Sequence, residues 1–427
     1  MTRSGSHRNP NRQPTRAICT PSFSKVRRAA QSSTDNEERT MLTRSANIQA
    51  TLAAILTTVG MAASAPAASP ATPAPDYDFQ WATITHPNNP GYDRPTLSGT
   101  PVAGLGTVPY EYRIAKMEVT TAQWVEFVNT FSMQPDFPGR MFDNRSFVSQ
   151  AESAFWGAFR DSTYTGPGVR YAYEGPGYDG SLVPVMSISW RDAALYCNWL
   201  HNGKQSDPAS LLSGAYDTST WGGAYPSFTD ALTHEPGSLY WIPTLNEWLK
   251  ASFWDPDKFG PGQPGWWQFV NSSDTAPVPG YPSEPGATTA AGLPLVDPAI
   301  LSIPLGAYPE AQSPWELLDT AGGGQEWNEQ PYFPGELSDR GYCGSSVLVN
   351  DLNLATIQAH FSGFGSSRLN SPYFTSVRIA SAVPSTHCSV IGVMAAGYIF
   401  RRKRDILQQK PRFARRDAGR DSRRNTG

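Results

Sequence analysis

Three short helices are predicted by polar N-terminal caps followed by apolar residues at helical spacing. The caps, each with its partner in the first turn, are Thr120 with Gln123, Ser189 with Asp192, and Thr244 with Glu247. In the first and third pairs the partner side chain can return a hydrogen bond to the cap backbone, which is the capping-box pattern. The second helix has the inner face Ala193, Tyr196, Cys197 and Leu200. These local signals place the helices and little else.

Long loops rich in Gly, Pro and Asp separate the predicted helices. They cover residues 132–182, 202–238 and 255–312, and short extended stretches precede the helices at 112–117, 183–187 and 239–242. With 37 Gly and 38 Pro in 427 residues, irregular backbone should exceed its usual share. Loops this long require a fold that stabilises irregular backbone. The pattern predicts much irregular backbone, and the 13 Trp suggest a core of large flat side chains.

Charge is divided unevenly along the chain. Residues 46–400 carry 31 Asp and Glu against 14 Lys and Arg, whereas both ends are basic. The body of the protein is therefore acidic, which argues against a nucleic-acid partner.

The N-terminal region is typical of an exported protein. Residues 1–40 are polar without periodicity and are interpreted as a disordered or non-native extension ahead of Met41. Residues 41–67 have a positive start, an apolar run and small residues, which is the pattern of a secretory signal peptide. A linker is expected at 68–76. The alternative is a genuine cytoplasmic extension before an uncleaved anchor.

The C-terminal region carries a second apolar run, 389–400, with a basic cluster directly after it at 401–404. Residues 383–404 resemble the PEP-CTERM sorting signal of exported bacterial proteins, and 405–427 form a basic tail. The alternative is a transmembrane helix that serves as a plain tail anchor, with its positive charges on the cytoplasmic side. Both interpretations attach the protein to the membrane through this segment and place its body outside the cytoplasmic membrane.

Six motifs resemble, in order, those of the formylglycine-generating enzyme domain, also called the sulfatase-modifying factor domain. They are YEYRIAKMEVTTAQW (110–124), PVMSISWRDAALYCNWL (184–200), WIPTLNEWLKA (241–251), DTAGGGQEW (319–327), RGYCGSS (340–346) and VRIA (377–380). The resemblance implies a domain over 77–382 with the formylglycine-generating-enzyme fold of the C-type-lectin-like superfamily, an α+β fold with little regular secondary structure and long loops.

The resemblance also implies a copper(I) site made of two cysteines, because copper(I) favours thiolates. In the family these cysteines follow the Gly-Ser of the fifth motif, but residues 344–353 contain none. Cys343 stands alone before this stretch and is the weak catalytic candidate; the alternative is a small, part-exposed loop residue. Cys197 is expected to be a buried, inert thiol. Formylglycine-generating activity and a copper cofactor are therefore not expected.

Iron and calcium are the other metals of the superfamily. An iron-dependent branch uses a His-x3-His-x-Glu motif, but no two of the six histidines here stand four apart, so iron is not expected. Glu326 matches a calcium ligand of the family, whose companion Asn is Gly323 here and whose second-site Asp is Gly306. Glu326 is therefore a candidate for a weakened calcium site; the alternative is a Glu that hydrogen-bonds loop amides.

The predicted function is a surface-exported binding or structural module. Its partner is expected to be an extracellular protein or a glycan, which loop aromatics could contact. The candidates are Trp221, Trp266 and Trp267, whose alternative role is packing in the core. A competing hypothesis is an oxidoreductase of the same superfamily that modifies exported proteins.

Overall fold

A computed structural model describes residues 74–94, 102–135, 157–223, 228–283, 287–290, 302–331, 340–346, 356–357, 360–361 and 375–384. All of them belong to one compact unit, Pro66–Gly427. The predicted extension and signal peptide, and the sorting segment beyond residue 384, lie outside the described residues. Among the described residues, no helix combines the length and apolar character needed to span a bilayer.

The three predicted helices are confirmed as α1 (Thr121–Ser132), α2 (Trp190–His201) and α3 (Leu245–Phe253). Each has a complete capping box, with Thr120, Ser189 or Thr244 as the N-cap residue. The inner face predicted for α2 is fully buried. The local sequence pattern predicted these helices correctly because the two residues of each capping box are only three positions apart.

The strands are short. In chain order they are β1 (Trp81–Ile84), β2 (Tyr112–Ala115), β3 (Phe159–Arg160), β4 (Tyr171–Ala172), β5 (Glu174–Gly175), β6 (Tyr178–Asp179), β7 (Tyr240–Trp241), β8 (Trp254–Asp255), β9 (Gly265–Trp266), β10 (Gln325–Pro331), β11 (Arg340–Cys343), β12 (His360–Phe361), β13 (Thr375–Ser376) and β14 (Ala380–Ala382). The predicted stretch at 183–187 forms no strand. Its backbone instead pairs with the start of α1, since Thr121 N donates to Val183 O and Val185 N donates to Val119 O.

Two four-stranded sheets organise the unit. The first has the order β1-β2-β14-β7 with antiparallel pairing throughout, so it joins the two ends of the described chain. The second has the order β12-β11-β10-β13, in which β10 and β13 are parallel. In the second sheet Glu326 lies beside both Cys343 and Ser376. This register brings the fourth and fifth motifs into contact.

Two apolar clusters form the core. The larger lies around α1, α2 and the first sheet, and the smaller surrounds α3 and includes Trp248 and Cys343. The largest fully buried side chains include four tryptophans, Trp124, Trp190, Trp199 and Trp327. The expectation of a Trp-rich core is confirmed, and few regular elements are needed because these rings fill the space between irregular segments.

Candidate functional site

Both described cysteines are buried and neither is in a disulfide. Cys343 is the last residue of β11 and accepts a hydrogen bond from Asn328 Nδ2 at 3.3 Å. Burial raises the thiol pKa of Cys343 well above its ordinary value. The expectation of a part-exposed loop residue was wrong, because pairing with β10 draws the fifth motif into the second sheet. Cys197 is confirmed as buried, and burial also raises its thiol pKa.

Glu326 lies at the centre of a buried ion pair. Arg378 Nε donates to Glu326 Oε2 at 2.9 Å and Arg378 Nη2 donates to Oε1 at 2.8 Å, while both side chains are fully buried. Trp248 Nε1 also donates to Oε2, at 2.8 Å. Arg378 further donates to the carbonyl oxygens of Ala115 and Leu318 at 2.9 and 2.8 Å. The pair thus joins both sheets to α3.

A second buried carboxyl group lies near this pair. Glu118 is 1% exposed and accepts hydrogen bonds from the amide of Gly324 at 3.1 and 3.3 Å. Burial, followed by the charge of Glu326, raises the pKa of Glu118 well above its ordinary value. Glu118 thus places a carboxyl group whose charged form is disfavoured by burial next to the Glu326–Arg378 pair.

The donor set at Glu326 does not fit a calcium ion. Both of its oxygens already accept hydrogen bonds from Arg378, and calcium needs six to eight oxygen ligands. Gly306, in place of the family Asp, contributes only its amide, which donates to Asp319 Oδ2 at 2.6 Å. The described residues hold no group of three or more His, Cys, Asp and Glu side chains that could bind a metal. Calcium binding by the whole chain stays a prediction.

A pocket opens beside this charged centre. Its empty volume, including the open mouth, is about 260 Å³, and its polar lining includes Asn271, Thr288, Asp319 and Thr320. Asn271 Oδ1 and Thr320 Oγ1 are buried and have no hydrogen-bond partner in the structure as described. Buried polar atoms are nearly always paired, with protein groups or ordered water, so these two atoms make the pocket a candidate site for a bound polar group.

Asp319 is the charged group of the pocket. Its backbone has a φ of +56°, a conformation that costs energy for a residue other than Gly and that is concentrated at functional sites. Burial raises its pKa to about 6. Within the described residues Oδ2 accepts from Gly306 and Oδ1 accepts no hydrogen bond. Asp319 therefore keeps one carboxyl oxygen without a donor among the described residues.

Sequence reasoning did not single out these pocket residues. The sequence places Asp319 and Thr320 in the fourth motif but indicates no role for either residue, and it indicates none for Asn271. The one available signal is an Asp three residues before the Gly-rich segment 322–324. The lining comes from segments near 271, 288, 308 and 320, and only tertiary structure brings these segments together.

The loop aromatics have different environments. Trp266 is 4% exposed and packs in the smaller core cluster, so its core alternative is confirmed. Trp221 is half-buried under the Arg191 guanidinium, whose Cζ lies 5.1 Å from the ring centre. Trp267 is half-buried with Lys258 Nζ 4.1 Å from its ring centre. Trp221 and Trp267 thus keep part of their surface open to a partner.

A second polar cluster surrounds Glu329, which is 1% exposed. Its Oε1 accepts hydrogen bonds from Tyr216 Oη at 2.7 Å and from the His234 amide at 2.9 Å, and His234 Nδ1 lies 2.9 Å away. The His234 ring stacks on Trp241 with centroids 4.6 Å apart. Burial lowers the pKa of His234, but Glu329, followed by Glu247 and Glu235, outweighs burial and raises the pKa above 6.5. This cluster anchors the loop before β7 to β10.

Comparison with family models gives one match that covers more than half of the chain. Residues 101–369 match the model described as the sulfatase-modifying factor enzyme 1-like domain. The chain belongs to this sulfatase-modifying factor family. The match supports the resemblance read from the motifs, and the mixture of short strands with three described α-helices agrees with the expected α+β class.

Three solved structures resemble the sulfatase-modifying factor domain described above at low identity. CarF is 14% identical with a TM-score of 0.38, and the match covers 72% of this chain and 99% of CarF. Treponema denticola variable protein 1 is also 14% identical with a TM-score of 0.38, over 71% and 95% of the chains. PvdO from Pseudomonas aeruginosa is 12% identical with a TM-score of 0.34, over 71% and 92%. No curated protein gives a significant match.

Proposed function

We propose that this chain is exported and held at the cell surface, where its sulfatase-modifying factor domain binds a partner instead of oxidising cysteine. The observation that carries the proposal is the pocket at Asp319, in which two buried polar atoms lack partners. A C-type-lectin-like frame suits this role, because such folds present binding loops from a fixed scaffold.

The environment of Cys343 supports a role other than copper-dependent oxidation. A copper(I) centre needs accessible thiolates, whereas Cys343 is 1% exposed and burial raises its thiol pKa. The sequence contains no cysteine between residues 344 and 387 that could complete a pair after the fifth motif. Among the described residues, no observation favours the competing oxidoreductase hypothesis.

Metal content and oxygen uptake test the non-oxidase part of the proposal. The purified full-length protein should carry no stoichiometric copper or iron and should consume no oxygen with a cysteine-containing peptide. Cys343→Ala is the matched variant, and it should leave both measurements unchanged. Stoichiometric copper that is lost in Cys343→Ala would overturn the proposal. Calcium measured in the same samples tests the separate calcium prediction.

Ligand screening tests the binding part. Full-length protein should retain members of a panel of glycans and extracellular peptides, and Asn271→Ala should weaken that binding. Trp267→Ala tests the contribution of the half-buried loop aromatic on the same panel. Retention that is identical in the wild type and Asn271→Ala would show that the pocket is not the binding site.

Mass spectrometry of the mature termini tests export. Cleavage near Ala67 and loss or membrane retention of 383–427 are the expected results. A protein that starts at Met1 and stays in the cytoplasm contradicts the localisation.

A further inference from the structure

The outer edge of the first sheet follows β1. In the order β1-β2-β14-β7, β1 is an end strand, and it pairs with β2 alone among the described strands. Just beyond this ladder Lys116 N donates to Gln80 O at 2.7 Å, so Gln80 and Lys116 form a hydrogen-bonded pair. Hydrogen-bonded and non-hydrogen-bonded pairs alternate along an antiparallel ladder. This one bond therefore fixes which residues of β1 bond to β2 and which face outward.

Trp81 and Thr83 are the outward-facing residues of β1. The alternation assigns Ala82 and Ile84 to the bonds with β2, so the N–H and C=O groups of Trp81 and Thr83 point away from it. The far side of β2 agrees, because Ala115, which lies opposite Trp81, donates its amide on the β14 side at 2.9 Å. Thr83 is exposed, and the outward groups of both residues have no partner in the part of the chain that the structure describes.

The sequence of β1 lacks the features that usually protect a strand edge from pairing. Such edges carry charged side chains, Pro or a bulge. Residues 79–86, FQWATITH, contain no Asp, Glu, Lys, Arg or Pro, and the register of β1 with β2 runs without a bulge. Trp, Thr and Ile also favour extended backbone. The edge is therefore open to another strand, and its length of four residues limits the strength of that contact.

The edge is complementary to itself. When β1 pairs antiparallel with β1 of a second copy, Ala82 can lie opposite Ala82 on a twofold axis. Trp81 of each copy then faces Thr83 of the other, and each of these two pairs exchanges two N–H···O bonds. All the outward groups of both strands are satisfied in a closed, isologous contact. The two four-stranded sheets become one continuous sheet.

Charge and size set the strength of this contact. Residues 46–400 carry 31 acidic against 14 basic residues, so two copies repel each other and approach best along an uncharged segment such as 79–86. One strand from each copy buries less than the area of about 1,200 Å² at which stable interfaces begin. The contact is therefore weak, with a dissociation constant of about 0.1–1 mM.

We propose that the β1 edge is a self-association surface, through which two copies of this chain join their first sheets into a dimer. The inference goes beyond the proposed binding function and uses none of the residues that line the pocket at Asp319. It is therefore tested separately from that function.

Sedimentation velocity of the full-length protein, from about 10 µM to about 1 mM, measures the association. We expect a monomer at the low end and a growing dimer fraction at the high end. Higher salt should strengthen the dimer, because it screens the repulsion between the two acidic bodies. Amide hydrogen exchange resolved to single residues gives a second readout. The amides of Trp81 and Thr83 should exchange more slowly at the high concentration, whereas those of Ala82 and Ile84 should be slow at both.

Thr83→Pro is the decisive variant. It removes an outward N–H from each copy, and with it two of the bonds between the copies, while the ladder to β2 loses none. We expect the dissociation constant to rise about tenfold or more. Thr83→Lys should have the same effect by placing like charges beside each other, and it keeps the backbone N–H. Thr83→Val is the matched control, because it keeps the branched shape and the N–H, and it should associate like the wild type.

A protein that stays monomeric up to about 1 mM overturns the inference, even if its β1 edge takes up an extended peptide of another chain. Association that is unchanged in both Thr83→Pro and Thr83→Lys overturns it as well, since the contact then lies elsewhere on the protein. Association that weakens as salt is added also contradicts it, because the acidic body would then be bound by the basic ends of a second copy. Thermal unfolding of each variant checks that the fold is kept, and Thr83→Lys decides the matter if Thr83→Pro does not fold.

Discussion

Replacement of Arg378 by Met tests the reasoning on the buried Glu326–Arg378 pair. The substitution keeps a long side chain but removes the guanidinium that donates two hydrogen bonds to Glu326 at 2.8 and 2.9 Å. It also leaves the carbonyl oxygens of Ala115 and Leu318 without their donors. The Glu326 carboxylate then remains fully buried with Trp248 as its one donor among the contacts described above.

The expected loss in the free energy of unfolding is large. Breaking a buried ion pair by removing one partner costs about 3–5 kcal/mol, because the remaining charge stays desolvated. The two carbonyl groups add to this, since each unsatisfied buried acceptor costs about 1 kcal/mol or more. We therefore expect Arg378→Met to lose about 5–7 kcal/mol. The double variant Arg378→Met/Glu326→Met should lose about 2 kcal/mol less, because it removes the stranded charge.

Urea unfolding at pH 7, followed by tryptophan fluorescence, measures both losses. Glu316→Gln is the control, because the Lys116–Glu316 pair is mostly solvent-exposed, and it should change stability by less than about 1 kcal/mol. The reasoning is refuted if Arg378→Met costs no more than the control. Glu326→Met is measured as the second single variant. The reasoning is also refuted if the double variant loses as much as the two single variants added together, because the pair would then show no coupling.

Three further predictions follow from the described contacts. Because the pKa of His234 is raised above 6.5, its pairing with Glu329 stabilises the fold fully below pH 6.5 and loses this effect as pH rises through the raised value. The difference in the free energy of unfolding between the wild type and His234→Gln should therefore shrink over that pH range. An imidazole pKa below 6.5 measured by NMR would contradict the pairing. In Cys19→Ser/Cys388→Ser protein, Cys197 and Cys343 should react with a thiol reagent only after unfolding, because both are buried; rapid labelling of the native protein would show that one of them is accessible. Gly344→Ala should destabilise the protein more than Gly104→Ala, by about 1 kcal/mol or more. Both glycines have positive φ, but a Cβ at Gly344 would lie 2.8 Å from Thr320 O, whereas a Cβ at Gly104 would have no neighbour within 4 Å. Equal losses of stability in thermal unfolding would contradict the steric argument.

Much of the site could not be read from the sequence, and Glu326 illustrates why. The fourth motif marked Glu326 as a carboxylate of interest, and family resemblance offered calcium as its partner. In the structure its partner is Arg378, which is 52 residues away. The sequence showed both residues in separate motifs, but nothing in their spacing predicted that they meet. Such a pairing depends on the register of β10 beside β13, which is a non-local property.

The sequence by itself determined where the helices begin and which family the chain resembles. The start of each helix depends on local sequence, because the two capping residues are only three positions apart. The family motifs are short segments that occur in the family order. It also determined that no cysteine pair follows the fifth motif. Only tertiary structure decided that Cys343 is buried in a strand, that Glu326 bonds to Arg378, and that Asn271, Asp319 and Thr320 share a pocket. These three outcomes depend on contacts between distant segments, whose energies come from burial and hydrogen bonding that no local window contains.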